Sequence, residues 1–127
     1  MVIVIRVVLG LIAAFFIVFG LRFMLMPDAM AAEFFITPVG ISGLSTMRAD
    51  LGGAFIGIGA CVTLGLFGRG VQWLYAAALI LTVIAVGRLV GFAADGTAQS
   101  AISALVAEVV FAVLLVIGAR RLGGANA

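Results

Sequence analysis

Four residues carry charge into an otherwise apolar chain: Arg48, Asp50, Arg88 and Glu108. Arg48 and Asp50 stand at the mouth of the run Leu51-Gly52-Gly53-Ala54-Phe55-Ile56-Gly57-Ile58-Gly59-Ala60-Cys61. Arg88 and Glu108 each interrupt a long aliphatic stretch. The chemistry open to such a set is narrow. Guanidinium groups hold carboxylates and other oxyanions. Carboxylates hold cations or move protons. Histidine is absent and Cys61 is the single cysteine, so a metal site, an internal disulfide and a nucleophile–base triad are not expected. Glu108 and Asp50 could serve as an acid–base pair on a lipid, but no nucleophile, metal set or phosphate loop accompanies them. The reading is therefore of a protein without catalytic residues or cofactor.

The setting of these charges fixes the class. Hydrophobic residues make up 66% of the 127 positions and charged residues 9%, against about 45–50% and about 25% in soluble domains. A soluble fold of this length could not hide so much apolar surface. All seven basic residues are arginines and they are dispersed, which speaks against nucleic acid as a partner. One domain spanning 1–127 is expected.

Four apolar segments divide the chain. The first covers about 2–26, long enough for the ~20 residues a spanning helix needs. A secretory leader is the rival reading, with Arg6 as its basic start and Ala29-Met30-Ala31 as a cleavage site, but the run exceeds a usual leader core. Residues 28–36 suit either a plain loop or a short interfacial helix, in which Pro27 and Asp28 open it, Met30, Phe34 and Phe35 face the bilayer, and Asp28 and Glu33 face water. Thr37-Pro38 ends it, and Gly40 to Ser45 reads as a turn-rich connection. The second span covers about 48–67. Gly53, Gly57, Cys61 and Gly65 make a small-residue stripe on it, and Gly53 with Gly57 forms a GxxxG pair that admits another helix closely. Gly68-Arg69-Gly70 is a tight link to the third span, about 72–92, where Trp73 and Tyr75 mark the headgroup level. Ala93 to Gln99, with Asp95-Gly96, turns the chain into the fourth span, about 100–119. The fold class is all-α: a polytopic four-transmembrane-helix bundle.

An even number of spans returns both ends to one side. Arg6, Arg69, Arg120 and Arg121 lie toward that side, and Arg22, Arg48 and Arg88 toward the other. The bias of arginine toward the cytoplasm places both termini there. With this topology Arg88, seven residues before Asp95, and Glu108, eight after Ser100, sit at one depth on neighbouring antiparallel helices, on the order of 10–12 Å inside their loop at about 1.5 Å per residue. A lone charge at the bilayer centre costs about 2.5–3.5 kcal/mol on insertion scales, so pairing is expected. Arg88 can pair with Glu108. Because Arg48 and Asp50 are two apart and do not face each other, one neutral alternative joins Asp50 to Arg88 and Arg48 to Glu108.

Arg48-Ala49-Asp50-Leu51-Gly52-Gly53 opening the second span, Pro27 after the first, and Gly87-Arg88-Leu89-Val90-Gly91 followed by Asp95-Gly96 together resemble the small bacterial four-helix membrane proteins of the DUF4345 group. That group is similar to the wider DoxX-like set. The resemblance covers most of the chain and implies an inner-membrane helix bundle. DoxX-like proteins are linked to redox partners and membrane complexes, but the absence of paired cysteines here speaks against thiol chemistry.

Three functions remain open to the residues. The cluster of Arg48, Asp50, Arg88 and Glu108, with Asp95 as a secondary member, clamps the bundle or binds a membrane lipid or small amphiphile. The chain is an accessory subunit that packs on another membrane protein, or on a second copy, through small-residue faces. Or it couples to ions or protons, although Glu108 is the one deep carboxylate and no chain of relay groups accompanies it. The topology is checked by a reporter fused at Ala127, which is expected to be active in the cytoplasm. A periplasmic C-terminus would reverse the inside and outside assignments.

Overall fold

A computed structural model describes residues 1–125; the last fusion-site residue, Ala127, and Asn126 lie outside the described residues. The described chain is helical with no strand. α1 covers Val2–Leu25, α2 Pro27–Glu33, α3 Gly40–Leu66, α4 Gln72–Asp95 and α5 Gln99–Ala125. Four of these, α1, α3, α4 and α5, are long and apolar enough to cross a membrane. This is the all-α, four-span class expected from composition.

The chain forms two compact units, Leu11–Ala60 and a second made of Met1–Gly10 with the chain from Cys61 onward. In the first, α1 meets α3 through glycine. A Cβ added at Gly59 would lie 2.9 Å from the Ala13 carbonyl oxygen, and one at Gly20 would lie 2.7 Å from the Gly52 oxygen. Such approaches are tolerated only where no side chain intervenes. The expected pair is displaced: around Gly53 and Gly57 a Cβ would meet nothing within 4 Å. Small residues recur along α3 on several phases, and the bulky partners Ile17 and Met24 select the face holding Gly52 and Gly59, seven residues or about two turns apart. Of the predicted stripe, Gly65 is tightly packed, against Leu74 in the other unit's own interior, and Cys61 is half-buried.

α3 begins at Gly40 rather than at Arg48. Gly40 to Ser45 were expected to form a turn, yet the amide of Gly43 donates to the Val39 carbonyl and the Thr46 hydroxyl to the Ser42 carbonyl, both at 3.0 Å. The first is the ordinary backbone bond of a helical turn and the second a threonine hydroxyl bonding back four residues; Gly43 leaves room for Pro38, whose Cα would lie 3.0 Å from an added Cβ. Within α3, Met47–Gly52 is a π-helical turn, which carries one extra residue per turn and re-phases the helix. The third and fourth spans also extend past their expected ends at 92 and 119.

α2 differs from expectation in the face it presents. Met30 is fully buried and Phe34 half-buried, with Phe23, Ala31 and Met47 forming their core. Phe34 stands edge-on to Phe23, and Phe23 stacks on Phe55 at 5.5 Å between centroids. Edge and offset contacts of this kind each add about 0.5–1.5 kcal/mol beyond burial. Of the three residues expected at the bilayer, only Phe35 is exposed. It has φ 57° and closes α2 by a Schellman pattern, with the Ile36 amide donating to the Ala31 carbonyl at 2.9 Å.

In the second unit, Leu74, Ala77, Ala78 and Leu81 of α4 and Leu115, Ala119 and Leu122 of α5 are buried, as is Leu9. A Cβ at Gly118 would lie 2.7 Å from Leu9. Gly68, with φ 81°, lets the Arg69 amide donate back to the Leu64 carbonyl at 3.1 Å and ends α3. Arg6 donates to the Leu66 carbonyl at 3.1 Å and answers a further orphan acceptor of that helix end.

These contacts give opposite expectations for two neighbouring glycines. Gly59→Leu drives a side chain into the α1 backbone and should lower the melting temperature in detergent sharply, since overpacking costs about 1–3 kcal/mol or more. Gly57→Leu should leave it nearly unchanged. Equal destabilisation would show that the α1–α3 face is misassigned.

Candidate functional site

α4 and α5 are joined by residues 96–98 alone. Gly96, with φ 93°, takes a left-handed conformation that stops α4. So short a link makes the two helices antiparallel neighbours. Arg88 is then seven residues, about two turns, before the end of α4, and Glu108 nine residues into α5, so the two meet. The Arg88 Nε–H donates to both carboxylate oxygens of Glu108, at 2.8 and 2.9 Å. The Glu108 side chain is 13% exposed and that of Arg88 31%. A charge-assisted contact of this length is about twice as strong as a neutral one. It uses Nε only. The four N–H groups on the two terminal nitrogens have no acceptor among the described residues.

Arg88 lines a groove of about 480 Å³ at the loop end of the hairpin, together with Gly87, Gly91, Phe92, Asp95 and Gly96. Neither Gly87 nor Gly91 has an atom within 4 Å of an added Cβ. They fall one turn apart and leave the groove floor as bare backbone. Asp95 is exposed, has no ion-pair or hydrogen-bond partner among the described residues, and lies at the C-terminus of α4. The arrangement can bind: a fixed guanidinium with free donors, a free carboxylate and an open apolar wall. It holds no nucleophile.

The Leu11–Ala60 unit has its own polar groups. Arg48 donates through Nη1 to the Met24 carbonyl near the end of α1. Pro27 lacks an amide hydrogen and breaks the ladder just beyond, so an orphan carbonyl is expected there and a cation suits the negative helix end. Arg22 pairs with Glu33 of α2 and its guanidinium carbon lies 5.7 Å from the Phe19 ring centroid. Asp50, on the π-helical turn, is exposed and lines a groove of about 690 Å³ with Thr46, Ser42, Pro38 and Val39. Arg88–Glu108 is the pair made within the unit that holds α4 and α5, and Arg48–Met24 the contact made within the Leu11–Ala60 unit. Sequence reasoning missed the Arg22–Glu33 pair, placing Glu33 in water, and missed Gly87 and Gly91 as the groove floor. Their one-turn spacing beside Arg88 was the available signal.

The helices and the ion-paired hairpin define a multi-pass, all-α membrane protein. Residues 4–119 match the family described as a domain of unknown function, DUF4345, and the chain belongs to that family. Neither the curated proteins nor the solved structures returned a match.

Removing one partner of the hairpin pair should destabilise the fold. In soluble proteins, breaking a buried pair costs about 3–5 kcal/mol, and the partial exposure of Arg88 places Glu108→Gln at or below the lower end. Arg88→Met with Glu108→Leu should recover most of the loss, because an apolar pair suits a bilayer. Thermal melts of the three variants check this; an unaltered Glu108→Gln would mean that the pair holds nothing together.

Proposed function

We propose that this protein binds the polar head of a membrane lipid or small amphiphile in the α4–α5 groove, and is not an enzyme. The observation that carries the reading is the state of Arg88. Glu108 fixes its guanidinium through Nε, and Arg88 itself lines a groove whose floor is backbone. A simple clamp needs no groove beside it and no free donors within it. Intramembrane ionisable groups facing a cavity mark ligand sites by default. The family resemblance and the arginine distribution support a place in a bacterial inner membrane with both termini in the cytoplasm, which puts the groove at the outer surface.

A second reading has its own support. Gly53 and Gly57 present an open GxxxG face on α3, as an accessory subunit of a larger membrane complex, or a second copy, would require. Likeness to DoxX-like proteins favours a complex of redox type. Ion or proton coupling has less support, because Glu108 is already bonded to Arg88.

Purification in mild detergent separates the readings. The wild type should carry lipid at fixed stoichiometry, and the Arg88→Met, Glu108→Leu variant should stay folded and lose it. Equal lipid on both proteins overturns the groove reading, and a protein partner of fixed stoichiometry held by the wild type but released by Gly57→Leu establishes the subunit.

A further inference from the structure

The groove contains a second charge whose placement is costly on its own. Asp95 lies at the C-terminus of α4, where the unanswered carbonyls already carry partial negative charge, and no basic residue stands in the last turn of that helix. It has no partner among the described residues, yet it lines the same groove as Arg88. Arg88 and Glu108 cancel formally, so the groove and its ion pair keep one net negative charge from Asp95. A purely anionic head would add to that charge. A purely cationic head would satisfy Asp95 and leave the terminal donors of Arg88 idle. A head with an oxyanion and an ammonium group satisfies both.

Resting on the groove reading above, we infer that the ligand head is zwitterionic, with its phosphate oxygens on Arg88 and its ammonium on Asp95. The order along the helix agrees. Asp95 is at the end of the span and Arg88 seven residues inside it, about 10 Å at the helical rise, a separation that the long arginine stem narrows. In a phosphoethanolamine-type lipid the amine is outermost, the phosphate next and the acyl chains deepest. The bare backbone at Gly87, Gly91 and Gly96 admits the head, and Ile84 and Phe92 flank the chain that follows. A primary ammonium, with three donors, suits a carboxylate better than a fully methylated one.

The test is competition on the full-length protein in detergent, read by native mass spectrometry with equimolar phosphatidylethanolamine and phosphatidylglycerol of identical chains. The wild type should retain the ethanolamine lipid about tenfold over the glycerol lipid, the ratio that one charge-assisted contact supplies. Asp95→Asn should bring the ratio near one with the melting temperature no lower than that of the wild type, and Asp95→Ser serves if the amide disturbs the turn. Free phosphoethanolamine separates a soluble head from a lipid, since displacement by it shows that the head alone is the ligand. Phosphatidylglycerol held as well as phosphatidylethanolamine by the wild type, or a ratio indifferent to both Asp95 variants, overturns the zwitterion and leaves the groove standing. Both lipids retained by Arg88→Met with Glu108→Leu overturns the groove itself.

Discussion

A bilayer offers no hydrogen-bond partner, so every polar group carried into it must be answered by the chain. The arginines show how this requirement is met. Arg6 and Arg48 each donate to a backbone carbonyl near a helix end, of α3 and α1 respectively. Arg22 and Arg88 each hold a carboxylate. The other three, Arg69, Arg120 and Arg121, are exposed near helix ends. Among the described residues no polar or charged residue is fully buried. The helices themselves are apolar all round, so amphipathicity does not orient them. Glycine contacts and these few polar tethers do.

What was legible in the sequence follows from what is periodic or countable. Long apolar runs reveal spans, because length against bilayer thickness is a strong test. The meeting of Arg88 and Glu108 could be counted, because both are measured from one short turn. The start of α3 could not, because Gly40 to Ser45 are turn formers by propensity, and here the Gly43 amide bonds back to Val39 while Gly43 leaves room for Pro38. The choice between the Gly53–Gly57 and Gly52–Gly59 faces depends on Ile17 and Met24, which belong to another helix. The inward turn of Met30 and Phe34 depends likewise on the phenylalanines of α1. In each case the missing information is tertiary: which face finds a partner of matching shape.

The hairpin of α4 and α5 unites structure and proposed function in one pair of residues. Glu108 orients Arg88 and at the same time offsets its charge. In the proposed reading this tempers the pull of the groove on anions in general, and Asp95 would add a second criterion at the rim. The polar content is small, yet it is arranged in depth, and depth is the coordinate along which lipids themselves are ordered.

The three-residue link between α4 and α5 also bears on how the protein enters the membrane. Closing so short a loop is fast, on the order of tens of nanoseconds for a ten-residue loop, whereas synthesis delivers about 5–20 residues per second. Arg88 and Glu108 are twenty residues apart. Once Glu108 has emerged, pairing is faster than the addition of the next residue, so Arg88 can meet its carboxylate while the rest of α5 is still being made. The time for which Arg88 stands as a bare charge is then set by the synthesis of the twenty residues that separate the pair, on the order of seconds.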